Sequence, residues 1–118
     1  MQENKTFNCP IEATLSLIGG KYKCIIMWNL INRTLRFSQL QRLIPQATPK
    51  MLTQQLRELE SDDLIVRVVY PVVPPKTEYS LSERGKTIIP MLNAMCDWGR
   101  DYMRERGLTS CCSENSNQ

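Results

Sequence analysis

The sequence predicts an α+β, mostly helical fold: a winged helix-turn-helix. Three observations carry that reading. Thr48-Pro49 opens a segment whose apolar residues Leu52, Leu56 and Leu59 recur at helical spacing. The β-branched run Leu64 to Tyr70 (LIVRVVY) and the segment Thr77 to Leu81 read as two strands. Between these strands Pro71-Val72-Val73-Pro74-Pro75-Lys76 places three prolines where ladder hydrogen bonds would otherwise form, so it is expected to be a stiff loop, the wing.

The elements follow in order. Ile11 to Ile18 is expected to be a short first helix with Leu15 and Ile18 on one face, stopped by the turn Gly19-Gly20. Lys21 to Ile31 reads as a second helix; Ile25, Ile26, Trp28, Leu30 and Ile31 make it apolar enough to be buried on most of its circumference. Leu35-Arg36-Phe37 is expected as a minimal strand, Ser38 as the N-cap of a third helix from Gln39 to Ile44, and Pro45 as its end. Gln46-Ala47 then turns into the Thr48 helix, where Thr48 can cap and Pro49 suits the first position because its missing N–H would be unpaired there. That helix ends near Ser61-Asp62-Asp63. After the two strands, Ser82 is the expected N-cap of the last helix, with Gly85 weakening its first turn and Pro90 kinking or restarting it. Its apolar positions, Ile88 through Tyr102, make a face wider than a lone surface helix needs. The reading divides the chain into one domain, 9–106, and a polar, flexible C-terminal tail, 107–118.

Charge distribution says more than the net +3 of the 118 residues. From Ala13 through Arg57 there is no Asp or Glu, while Lys21, Lys23, Arg33, Arg36, Arg42, Lys50 and Arg57 contribute +7. A polyanion would gain several phosphate contacts on such a block, with salt-dependent affinity from counterion release. At about 100° per residue, the side of the 48–61 helix opposite its leucines collects Lys50, Thr53, Gln54, Arg57 and Ser61, hydrogen-bonding residues without an acid among them. A helix so made can bury one side and meet double-stranded DNA with the other.

Composition excludes several classes. With 42% hydrophobic and 23% charged residues and no run long enough to span a bilayer, no membrane role is expected. The N-terminus lacks the apolar stretch of a signal peptide, so a cytoplasmic location is expected. There is no histidine, no Gly-rich phosphate loop and no Cys-x-x-Cys, which leaves no catalytic residues, no metal and no cofactor to assign. The five cysteines, Cys9, Cys24, Cys96, Cys111 and Cys112, are an odd number and are expected as thiols in a reducing compartment. Cys24 and Cys96 lie on apolar stripes and read as small core residues. Cys9, just before Pro10, stands at a helix start, where partial positive charge favours the nucleophilic thiolate and suits a sensor of oxidants or small electrophiles. Cys111 or Cys112 could resolve an oxidised Cys9 across a dimer.

Several blocks in this order resemble the HxlR-type branch of the MarR-like winged-helix regulators. They are Cys9-Pro10 with Gly19-Gly20-Lys21-Tyr22; Arg36-Phe37 with Leu40; MLTQQLRELE from Met51 to Glu60; Leu64-Ile65; VPPKTEYSL from Val73 to Leu81; and Cys96-Asp97-Trp98-Gly99. Two departures are Ser61-Asp62-Asp63, where an acidic residue then Asp-Gly is common, and the Cys111-Cys112 tail outside the shared region. The resemblance implies a homodimer whose N- and C-terminal helices form the dimer interface across a two-fold axis. It places the 48–61 helix in the major groove and the wing by the neighbouring minor groove. It also implies thiol sensing at the position of Cys9.

The function expected is that of a sequence-specific DNA-binding transcriptional regulator, a homodimeric repressor switched by thiol modification or a small electrophile. Its partner would be an inverted-repeat operator with half-site centres about one helical turn, ~34 Å, apart. Gln54 and Arg57 are the expected base readers, with Lys50 donating to guanine or phosphate and Thr53 meeting a phosphate or a thymine methyl. Arg36 and Arg42 are expected on phosphates, and Lys76, placed at the wing tip, on the backbone or minor groove. The alternative is a winged-helix module that binds protein or a ligand without thiol sensing; exposed aromatics on the 48–61 helix would have favoured it.

Overall fold

The computed structural model describes residues 6–109. Among these residues, six helices and three strands occur in the order α1 (Pro10–Ile18), α2 (Lys23–Asn29), β1 (Leu35–Arg36), α3 (Phe37–Leu43), α4 (Pro49–Ser61), β2 (Ile65–Tyr70), β3 (Lys76–Leu81), α5 (Glu83–Lys86) and α6 (Ile89–Glu105). The strands form one antiparallel sheet in the order β1-β3-β2; Leu35 stands opposite Tyr79, and β2 pairs with β3 from Ile65↔Leu81 to Tyr70↔Lys76. Cys111 and Cys112, and the tail expected beyond Thr109, lie outside the described residues.

The core lies where α2, α3 and α4 converge on the open end of the sheet. Ile26 and Met27 of α2, Leu40 of α3, Leu52 and Leu59 of α4 are fully buried, and Ile65 of β2 and Leu92 of α6 complete the cluster. The spacing of Leu52, Leu56 and Leu59 thus does what helical periodicity requires: all three are buried while the opposite side of α4 stays open. Thr48 caps α4 by accepting the Met51 N–H at 3.1 Å, with Pro49 in the first position.

Several sequence expectations are corrected. In α1 only Ile18 is buried and Leu15 is exposed, so the two do not share a core face. The second helix is shorter than expected, because Lys21 and Tyr22 belong to the turn after Gly20, and Ile25 is exposed. Cys24 and Cys96 are half-buried rather than core residues. Phe37 is the first residue of α3 rather than the end of a strand, and the N-cap is Arg36, not Ser38. Gln39 Oε1 accepts the Arg36 N–H at 2.8 Å, the backward half of a capping box. At the other end of the fold Pro90 restarts the chain: α5 is a single turn capped by Ser82, whose Oγ accepts from Gly85 N–H at 2.9 Å and donates to Asp63 O at 2.7 Å, and α6 begins anew at Ile89. Gly85, expected only to weaken this turn, is required by it, since a Cβ there would collide with the Leu64 carbonyl.

Candidate nucleic-acid interface

α4 is seated by contacts that leave its outer side free. Gln55 Oε1 accepts the Tyr22 N–H at 3.0 Å, and Tyr22 Oη donates to Gln46 O at 3.1 Å, so the α1–α2 turn is stitched both to the middle of α4 and to the α3–α4 connection. Gly20 allows this approach; a Cβ would lie 2.5 Å from Gln55 Oε1. Adjacent residues on a helix point about 100° apart, which is why Gln55 turns inward while Gln54 faces solvent.

The outer side carries an open concavity of about 610 Å³ lined by Pro49, Lys50, Thr53, Gln54, Arg57, Glu58 and Ser61. The structure therefore brings Lys50, Thr53, Gln54 and Arg57 together on one face, and adds an acid the sequence reading left out. Glu58 pairs with Lys23 at 2.7 Å, and Gln54 Nε2 donates to its other oxygen at 3.3 Å. The Lys23 hydrogen bond first, then that from Gln54, holds the Glu58 carboxyl below the usual carboxylate range. Lys23 is buried, so it is a structural cation rather than part of an outward cationic block. A lysine inside the apolar run YKCIIMW was the available signal.

The flanking residues fall into two groups. Arg42 is exposed in the last turn of α3, where a cation also suits the helix dipole, and Arg36 is exposed on β1 opposite Glu78. Lys76 is not at the wing tip. It opens β3 opposite Tyr70, with Nζ 5.2 Å from the Tyr70 ring centroid and 3.7 Å from Glu78 Oε2. Glu78, by hydrogen bonding and by its charge, raises the Tyr70 hydroxyl above its ordinary range. The tip itself is Pro71 to Pro75, uncharged, with Val73 98% exposed. Arg67, which the sequence reading did not single out, ties β2 to α4 through Glu60 at 3.3 Å.

Cys9 is the N-cap residue of α1, with extended backbone, and its carbonyl accepts from Glu12 N–H at 2.9 Å. Glu12 Oε1 in turn accepts the Asn8 N–H at 2.6 Å, so a carboxylate lies beside the thiol's turn. Among the described residues there is no group of three or more His, Cys, Asp or Glu side chains placed to hold a metal, and no helix long and apolar enough to cross a membrane.

A capped helix open along one side, preceded by a short helix and followed by a two-stranded ribbon packed on it, defines a winged helix-turn-helix of the DNA-binding transcription regulators. The chain belongs to the HxlR-like helix-turn-helix family, whose model matches residues 17–107. The HTH-type transcriptional regulator YtcD of Bacillus subtilis is 52% identical over 101 residues, covering 86% of this chain and 80% of that protein. Among solved structures, the redox regulator HypR in its oxidised form superposes with a TM-score of 0.76 at 48% identity over 79% of this chain and 96% of that one. A transcriptional regulator described as of the MarR family, from Porphyromonas gingivalis W83, gives 0.77 at 30% identity over 84% and 97%.

Proposed function

We propose that the protein is a homodimeric repressor that binds an inverted-repeat operator through α4 and releases it when a cysteine thiol is modified. The observation that carries this reading is the outer face of α4, where Lys50, Thr53, Gln54 and Arg57 surround an open concavity while three leucines anchor the opposite side. Gln54 can pair with the N6/N7 edge of adenine and Arg57 with guanine O6/N7; Lys50 and Thr53 serve guanine, phosphate or a thymine methyl. Arg36 and Arg42 contact phosphates, and Lys76, from the base of the wing, reaches the backbone. The uncharged tip meets the minor groove by shape.

Dimerisation is supported by the apolar residues that α1 and α6 leave exposed, Ile11, Leu15, Trp98 and Tyr102 among them. A thiol switch is supported by the position of Cys9 at the start of α1 and by the likeness to a redox regulator. Modification of Cys9, beside that apolar face, would disturb the pairing that spaces two α4 helices on one side of the DNA.

The test is a titration of the purified protein against its own upstream intergenic DNA and a scrambled control, at two salt concentrations, reduced and then diamide-treated. Specific binding lost on oxidation is expected, and Cys9→Ser should bind normally yet ignore diamide. Gln54→Ala should cost about 1–3 kcal/mol on the operator and relax preference at one base step, whereas Arg42→Ala should weaken all sequences alike. Absence of specific binding at either salt would turn the reading toward a protein- or ligand-binding module.

A further inference from the structure

A second thiol environment lies away from Cys9. Cys24 of α2 and Cys96 of α6 line the same cleft with Ile25, Trp28, Leu92 and Met95. Its volume is about 220 Å³. A cavity of about 150 Å³ already accommodates benzene, so this one suits a single ring or a short chain. The two sulfurs are treated differently. Cys24 is pushed up by burial, and its Sγ donates to the Ile18 carbonyl at 3.7 Å, so it remains a protonated thiol. Cys96 Sγ instead accepts from Arg100 Nη2 at 3.3 Å, and Arg100 Nη1 is held by Asp97 Oδ1 at 3.1 Å.

We infer that this cleft is a reaction site for small conjugated carbonyl compounds, enones and enals, with Cys96 as the nucleophile. An apolar slot takes the ring or chain of such a molecule, and a cysteine sulfur held in its wall can attack its β-carbon. The bond formed is Sγ–Cβ of the ligand. The C=C π pair becomes the new double bond between the α-carbon and the carbonyl carbon, and the C=O π pair moves to oxygen, giving an enolate that Arg100 is placed to stabilise. A proton from water returns to the α-carbon, replacing the one the thiol released on ionising. The sum is addition of S–H across C=C, without oxidant or reductant. A disulfide-forming switch at Cys9 would be a different chemistry at a different helix.

The site has a short physical route to the DNA-facing side. Lys23 immediately precedes Cys24 and pairs with Glu58 on α4, so a ligand wedged between α2 and α6 bears on the helix that holds Glu58 and, through it, Gln54. The labelling test below needs no DNA, so its failure and the failure of operator binding are separate results.

The purified full chain is treated with one equivalent of 2-cyclohexen-1-one in the presence of glutathione, and adducts are located by peptide mass spectrometry over time. The expected result is first modification at Cys96, about tenfold or more faster than at Cys9, the kind of advantage bound orientation readily supplies. Saturated cyclohexanone should slow it by competition, and Met95→Trp, which fills part of the cleft from its exposed rim, should slow it too. Adducts spread evenly over the cysteines, first modification at Cys9, or a Cys96 rate indifferent to cyclohexanone would overturn the assignment.

Discussion

Lys23 shows why a buried charge has to be read with its partner. Its side chain is 7% exposed, and the Glu58 carboxylate that meets it at 2.7 Å is 43% exposed. A buried ammonium is costly unless paired, while a half-hydrated carboxylate supplies the pair at small desolvation cost to itself. Because the folded carboxyl titrates below its ordinary range, this pair contributes its stability above the unfolded carboxylate range and loses it as pH falls through the folded value. Glu58→Gln should therefore lower stability by about 1 kcal/mol near neutral pH, the modest amount fitting a partly exposed pair. In urea titrations the gap between wild type and variant should be constant above the ordinary carboxylate range and close as pH falls below it. A gap that persists in acid would show that the lost contribution is packing rather than charge. The sequence reading counted Lys23 among the outward cations because a tally of charges carries no direction. Its partner comes from a helix far along the chain.

At the scale of elements, the strongly patterned segments were legible and the junctions were not. The capped helix at Thr48 and the two strands appear close to where periodicity and β-branching place them, because each pattern is a property of one contiguous segment. The starts of α2 and α3 each moved by two residues: a tertiary contact acts at the first, where Tyr22 donates its N–H to Gln55, and a local capping-box bond that the residue pattern alone did not signal acts at the second, where Gln39 reaches back to Arg36. Lys76 was misplaced for a similar reason, as β3 begins one residue earlier than Thr77 and takes Lys76 into the ladder opposite Tyr70. The Gln55–Tyr22 bond also makes a prediction about how α4 is seated. Gln55→Ala should strand the Tyr22 N–H and cost about 1–3 kcal/mol in folding free energy, whereas Gln55→Glu, which retains an acceptor oxygen, should recover most of it. Equal losses in the two variants, measured by thermal or urea unfolding, would mean that size and not hydrogen bonding holds the turn.

For the whole molecule, the solvent-facing residues of α4 were legible because the open side of an amphipathic helix is defined by the same stripe that defines its core side. What a single chain could not reveal is how its outer helices are covered. Ile11 is 66% exposed, Leu15 56% and Trp98 71%, with Trp98 stacked on Tyr102 at 5.7 Å between ring centroids. Apolar side chains of this size, contributed by the first and last helices, are expected to be buried against a second copy. Breaking that pairing should leave each winged helix folded, since the core cluster draws nothing from Leu15 or Trp98. Leu15→Glu combined with Trp98→Glu should thus sediment as a monomer with its helical circular dichroism retained. Its operator affinity should fall by about 10²-fold or more, because one α4 then grips one half-site without the second being delivered at high effective concentration. A half-site oligonucleotide should be bound equally by variant and wild-type protomers. If the doubly charged variant remained a dimer with unchanged affinity for the full operator, α1 and α6 would not be the faces that pair.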